Sequence, residues 1–183
     1  RVNPQCIYAT SCGSCSIQHI SKDYQWKLKI KKLNHIFQRY NNLDNLIDFY
    51  SFQDGNHYGY RNRALIPVNI SGKNIILGYY RRNSHEIVDI DDCLVLDPRI
   101  RGYLAIIKND LQNILINNPA SSNHLKFIRH LGLRIASATG EVLITVITKR
   151  NITNNLSKQA DLWVKNLYNV HGVILNIQPN DNN

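Results

Sequence analysis

Residues 60–80 read Tyr60-Arg61-Asn62-Arg63-Ala64-Leu65-Ile66-Pro67-Val68-Asn69-Ile70-Ser71-Gly72-Lys73-Asn74-Ile75-Ile76-Leu77-Gly78-Tyr79-Tyr80. Residues 60–69 and 74–80 have strand character. Ser71-Gly72-Lys73 between them has the chemistry of a tight turn, so the stretch predicts a β-hairpin. Residues 85–90 predict a short third strand. Further on, Leu125, Phe127, Leu131, Leu133 and Ile135 fall on odd positions, and Val142, Ile144 and Val146 alternate with Leu143, Thr145 and Ile147. Ala138-Thr139-Gly140 reads as the turn between these two strands, and residues 173–177 as a last strand.

Helical periodicity occupies the rest. Trp26, Ile30, Leu33, Phe37 and Tyr40 recur at helical spacing over residues 21–40, a stripe expected in the core, with Ser21 as N-cap and Asn41-Asn42 as the stop. Asp97-Pro98 opens a second helix with Leu104, Ile107, Leu111 and Leu115 on one face. Residues 157–168 predict a third, while Asp54-Gly55-Asn56 and the Asn-rich residues 151–155 read as loops. The expected fold is α+β, a mainly antiparallel sheet with helices packed on one face, and not a doubly wound nucleotide-binding fold.

The chain has four cysteines. Three cluster as Cys6-x5-Cys12-x2-Cys15, and Cys93 follows much later in Asp89-Ile90-Asp91-Asp92-Cys93. Four thiolates complete an all-cysteine zinc site or hold a [4Fe–4S] cluster, and a remote fourth ligand would tie the N-terminal arm to a distant part of the fold. Disulfides, a redox pair at Cys12 and Cys15, or plain buried thiols are the alternatives, and spacing alone leaves them open. Zinc is the commoner occupant of such a set.

At 183 residues and 43% apolar content, one domain with an adequate core is expected. With no methionine and a polar ending, the chain is expected to be a piece of a larger protein. No apolar run reaches the ~20 residues that span a bilayer, so no membrane partner is expected. A net charge of +9 favours an anionic partner such as nucleic acid. Lys22, Lys27, Lys29, Lys31 and Lys32 on the first helix fit a solvated face as well as an RNA contact.

An ordered set of short motifs adds to this. Cys12-Gly13-Ser14-Cys15 leads into Gln18-His19; Gly59-Tyr60-Arg61-Asn62-Arg63 and Leu77-Gly78-Tyr79-Tyr80 follow, then Ser84-His85-Glu86-Ile87-Val88-Asp89-Ile90 ahead of Cys93. The set resembles the iron–sulfur-containing RNA (uracil-5)-methyltransferases, which make 5-methyluridine in ribosomal or transfer RNA. In that family a C-G-G-C-x-x-Q-H element precedes a G-Y-R-N-(R/K) element and an S-H-x-I-V-D-I-x-x-C element. Ser14 replaces the usual second glycine, and Leu94 stands where a proline commonly follows. The likeness covers nearly the whole chain.

The resemblance implies that Cys6, Cys12, Cys15 and Cys93 bind a [4Fe–4S] cluster of mainly structural role, with residues 1–20 as the cluster-binding arm. It implies that residues 1–183 are the central domain of a cytoplasmic, monomeric enzyme acting on RNA, ribosomal in preference to transfer RNA. An N-terminal β-barrel and a C-terminal Rossmann-like domain would lie outside this chain. Uracil C5 methylation needs a nucleophilic thiolate, a proton acceptor and S-adenosylmethionine. With four thiols committed and no Gly-rich strand–loop–helix unit, the piece is expected to be inactive alone. The alternative is a free-standing zinc- or cluster-binding nucleic-acid module. Arg61 and Arg63, alternating on one strand face, and Arg129, His130 and Arg134 are the candidate RNA contacts. Gln18 and His19 are expected to bond the cluster loop, and His85, Glu86 and Asp89 to hold the loop that presents Cys93.

Overall fold

The structure, a computed structural model, describes residues 1–40, 58–118 and 123–180. The expected stop at Asn41-Asn42 and the loop at Asp54-Gly55-Asn56 lie outside the described residues. The chain divides into two compact units.

The smaller unit takes Arg1–Thr10 and Cys15–Asn56. Its regular element is helix α1, Lys22–Phe37, with Ser21 at the N-cap position but no side-chain cap bond. Gln25 secures the entry: its Nε2 donates to Ile20 O at 2.8 Å and to Ile17 O at 3.2 Å. The expectation that the aromatic stripe is core does not hold. No residue of α1 is buried; Leu33 is 38% and Tyr40, beyond the helix end, 63% exposed. Periodicity shows that a helix has an apolar face, not that another element covers it, and α1 is the one long regular element among the described residues of this unit.

The larger unit takes Ser11–Ser14 and His57–Asn183. Its strands are β1 (Arg63–Ser71), β2 (Asn74–Tyr80), β3 (Ile87–Asp89), β4 (Ile128–Ile135), β5 (Val142–Thr148) and β6 (Val170–Ile177). They form one sheet in the order β3-β2-β1-β4-β5-β6. The hairpin turns at Gly72, whose φ of 61° is the left-handed conformation glycine adopts without strain. The first strand starts at Arg63 and not Tyr60. It is aligned with β4 over residues 63–67 and with β2 over residues 68–71. Pro67, which has no N–H to give, falls where β1 passes from one partner to the other, which is why a central strand tolerates it.

Helix α2 (Pro98–Asn117) starts where Asp97 Oδ1 accepts from Arg99 N at 2.9 Å. Helix α3 (Thr153–Asn166) starts inside the Asn-rich stretch, because Asn151 Oδ1 accepts from Thr153 N at 2.9 Å and from its hydroxyl at 2.7 Å. The core lies between these helices and one face of the sheet. Ile100, Leu104, Ile107 and Leu111 of α2, with Leu156 and Trp163 of α3, pack on Ala64, Ile66, Leu131, Leu133 and Ile144.

One expectation needs correction: the sheet is mixed, not antiparallel. Four strand pairs are antiparallel, but β5 and β6 are parallel from Val142↔Val170 to Thr148↔Ile177. Parallel neighbours need a crossover, and α3 supplies it. The strand–helix–strand succession over residues 142–177 was the available signal.

Candidate functional site

The cysteines are divided between the units. Cys6 and Cys15 belong to the smaller, Cys12 and Cys93 to the larger. All four are half-buried thiols and none forms a disulfide. In the smaller unit, Cys6 O accepts from Ala9 N at 3.1 Å, closing a turn around the first cysteine. Val2 N donates to His19 O at 2.9 Å.

In the larger unit Cys12 and Cys93 are brought to the same end of the sheet. Cys12 forms an isolated bridge with Arg81, just after β2 ends. Leu96, three residues past Cys93, forms another with Arg61, just before β1 begins. Because β1 and β2 are antiparallel, those two points share one end. The adjacent glycine explains the local sequence: Gly13 N donates to Tyr80 O at 2.9 Å, and a Cβ on Gly13 would stand only 2.9 Å from that oxygen. The segment between Cys12 and Cys15 therefore lies flat against β2, and the glycine needed for this is the one the chain retains.

Cys93 is presented by an acidic loop pinned to α2. Lys108 Nζ donates to Asp89 Oδ1 at 2.8 Å and Asp91 Oδ1 at 3.1 Å, and Arg101 Nη2 to Asp92 Oδ2 at 3.0 Å. Burial works against the Lys108 charge, but hydrogen bonds and attraction from Asp89 and Asp91 outweigh it and raise its pKa. Asp89 Oδ1 also accepts from Leu77 N at 2.9 Å. Gly78 allows β3 to close on β2: a Cβ there would lie 1.8 Å from Val88 O. A cleft of about 290 Å³ between α2 and this loop is lined by Leu77, Ile90, Cys93, Leu104 and Lys108. His85, Glu86 and Asp89 do not converge. Glu86 forms a two-point ion pair with Arg81 (2.8 and 3.0 Å), His85 meets Tyr80 edge-on, and Asp89 faces Lys108.

As a home for a cluster, the donor set has the right chemistry. The Oε1 atom of Gln18, three residues past Cys15, is buried without a partner among the described residues. The amide assignment is interchangeable, so this is an orphaned polar group beside the cysteine loop. Among the described residues, no three His, Cys, Asp or Glu side chains are gathered as a metal ligand set.

The candidate RNA contacts fall in different places. Arg61 sits before β1, half-buried, its guanidinium 6.0 Å from the Tyr60 ring, so strand alternation does not put it beside Arg63. Arg63 instead lies directly opposite Arg134 across the β1–β4 ladder. His130 is opposite Pro67 on the same face of the sheet, and burial, then the charge of Arg129, lowers its pKa. Arg129 Nη1 donates to Asn180 O at 3.0 Å. The Arg63–Arg134 neighbourhood was not legible in sequence, because ladder register between distant strands leaves no local pattern.

No protein-family model matches the chain. Over its whole length it is 37% identical to a protein of Parasynechococcus marenigrum and 38% identical to one of Prochlorococcus marinus, both named as uncharacterized RNA methyltransferases. The chain spans 39% and 44% of those proteins, about two fifths of their length. A Staphylococcus epidermidis RNA methyltransferase is 34% identical, again over the whole chain and 40% of the relative. The fold of the present chain matches the crystal structure of Pyrococcus abyssi tRNA (uracil-54, C5)-methyltransferase in complex with S-adenosyl-L-homocysteine. That match has a TM-score of 0.65 at 23% identity and covers 97% of this chain and 39% of the other.

Proposed function

We propose that this chain is the cluster-bearing, RNA-docking central part of an S-adenosylmethionine-dependent RNA (uracil-5)-methyltransferase. The observation that carries the reading is the whole-length similarity to RNA methyltransferases at 37–38% identity. The fold shared with a tRNA uracil C5 methyltransferase agrees with it.

In this reading Cys6, Cys12, Cys15 and Cys93 hold a [4Fe–4S] cluster. The placement of Cys12 and Cys93 at one sheet end and the orphaned Gln18 amide favour it. Held by thiolates from both ends of the motif set, the cluster would fasten residues 1–20 to the rest of the protein. The protein acts as a monomer in the cytoplasm. Among the described residues no helix is long and apolar enough to cross a membrane.

Methyl transfer belongs to sequence outside this chain. S-adenosylmethionine, when bound, supplies the methyl group, and these 183 residues do not fit it. The one parallel strand pair among the described residues is joined through residues 149–169, which contain no glycine to make a cofactor loop at a helix N-terminus.

The test has two arms. Anaerobically purified protein is analysed for iron, sulfide and zinc: about four irons per chain support the cluster, and stoichiometric zinc without iron rejects it. The isolated 183 residues and the protein carrying the remaining sequence are then given labelled cofactor with ribosomal and transfer RNA. Labelled 5-methyluridine only from the longer protein is expected. Methylation by the 183 residues alone would reject the division of labour, and none from either would reject the enzyme reading.

A further inference from the structure

Arg63 and Arg134 are direct cross-strand partners on the face of the sheet away from α2 and α3, at a stretch of it where both are exposed. Residues so paired have Cβ atoms about 4.5–5.5 Å apart, and like charges there destabilise the ladder. Both side chains are exposed, and among the described residues neither makes a hydrogen bond or ion pair. Elsewhere in the unit three arginines have carboxylate partners: Arg81 is bound to Glu86, Arg99 to Asp97 and Arg101 to Asp92.

The surroundings are prepared for an anion. The Arg63–Arg134 rank continues through Leu143 to Gly172; the next runs Leu65, Gly132, Thr145, Ile174, and the third Pro67, His130, Ile147, Asn176. No carboxylate stands in these three ranks. In the second rank Gly132 has no side chain of its own and Thr145 packs beside it, a Cβ on Gly132 standing 3.2 Å from Thr145 Cβ; Leu65 and Ile174 at the ends of the rank are 46% and 47% exposed. The backbone under the arginines is braced, since Ile135 N donates to Asn62 O at 2.8 Å and Asn62 Nδ2 to Ser137 Oγ at 2.9 Å.

We propose that Arg63 and Arg134 form a two-guanidinium fork that grips a single backbone phosphate of RNA, with the Leu65–Gly132–Thr145–Ile174 rank beneath the adjoining nucleoside. The site rests on the RNA-methyltransferase reading above. Two guanidiniums held side by side offer paired donors matched to phosphate oxygens, and the anion turns their mutual repulsion into a shared attraction.

The test compares the 183-residue chain with Arg63→Gln, Arg134→Gln and the double variant. Each is titrated with oligouridine RNA across a salt series and melted with and without inorganic phosphate. For single strands the slope of log K against log salt carries about 0.7 per phosphate contact. The double variant is therefore expected to lose about 0.7 in all, and neither single variant more than that, because one phosphate serves both arginines. Each single variant is also expected to melt at or above the temperature of the parent. A double-variant slope equal to the parent's, or no oligouridine binding by the parent, overturns the fork. A loss of about 1.4 in the double variant overturns the shared phosphate. If inorganic phosphate stabilises the parent while the RNA slopes do not differ, the site takes a free anion and the proposal is also overturned. Slopes that fall as expected, with no methyl transfer by the longer protein, would remove the methyltransferase reading and leave the fork in place.

Discussion

The indole Nε1–H of Trp163 donates to Asp110 Oδ2 at 2.8 Å, joining α3 to α2 beneath the sheet. Trp163 is 2% exposed, and the same oxygen accepts from Gln159 Nε2 at 3.1 Å. Asp110→Ala leaves a buried indole donor unsatisfied and is expected to lower stability by about 1–3 kcal/mol. Urea denaturation measures it. Trp163→Phe in the Asp110→Ala background should cost less than in the parent, since the donor is already orphaned.

Gly78→Ala is expected to be among the most damaging single-methyl changes in the unit. The new Cβ would meet the Val88 carbonyl, a backbone atom with no rotamer to yield. A loss of about 1–3 kcal/mol is expected from overpacking of this kind. Gly72→Asn is the contrasting case: φ is 61°, no atom lies within 4 Å, and asparagine tolerates the left-handed region. Chemical denaturation should separate the two clearly.

Lys108→Met should loosen the loop before Cys93. Amide exchange at Ile90, whose N–H donates to Leu77 O at 3.0 Å, is expected to quicken while the β4–β5 ladder stays protected. The pH sign follows from the raised Lys108 pKa. Its contribution is complete below the ordinary value of 10.5 and disappears as pH rises through the higher folded value. The variant should lack this alkaline component, as read by melting temperature against pH. Equal exchange at Ile90 in both proteins would show that the lysine does not hold the loop.

His130 supplies the acidic counterpart. Its folded pKa is lowered by burial and by Arg129, so the unfolded chain binds the proton more readily. Stability is present above the ordinary value of 6.5 and falls as pH drops from there through the folded value. His130→Gln should flatten that part of the melting profile. At neutral pH the imidazole is uncharged, so the same variant should leave the salt dependence of RNA binding unchanged.

Local chemistry made much of this fold readable. Gly72 announced the hairpin, Asp97-Pro98 the start of α2, and the alternation from Val142 to Val146 the buried face of β5. What escaped is set by distance along the chain. Nothing near Leu143 says that its partner on one side is Arg134 and on the other Gly172. The stripe from Trp26 to Phe37 carries no mark of what, if anything, covers it. At the candidate site, the cysteine spacing and Gly13 were visible in the sequence, but the bridges of Cys12 to Arg81 and Leu96 to Arg61 depend on long-range register.

The ladder between residues 63–67 and residues 130–134 is the seam where two locally folded halves of the sheet meet. The β1–β2 and β4–β5 hairpins need only short loops to close, whereas this seam must bring together segments more than sixty residues apart, and such pairings form slowly. Arg63 and Arg134 stand at its far end, where their repulsion opposes closure. A bound phosphate there would act as a rivet across the two halves, so an anion that binds the folded sheet would also hold it against unfolding.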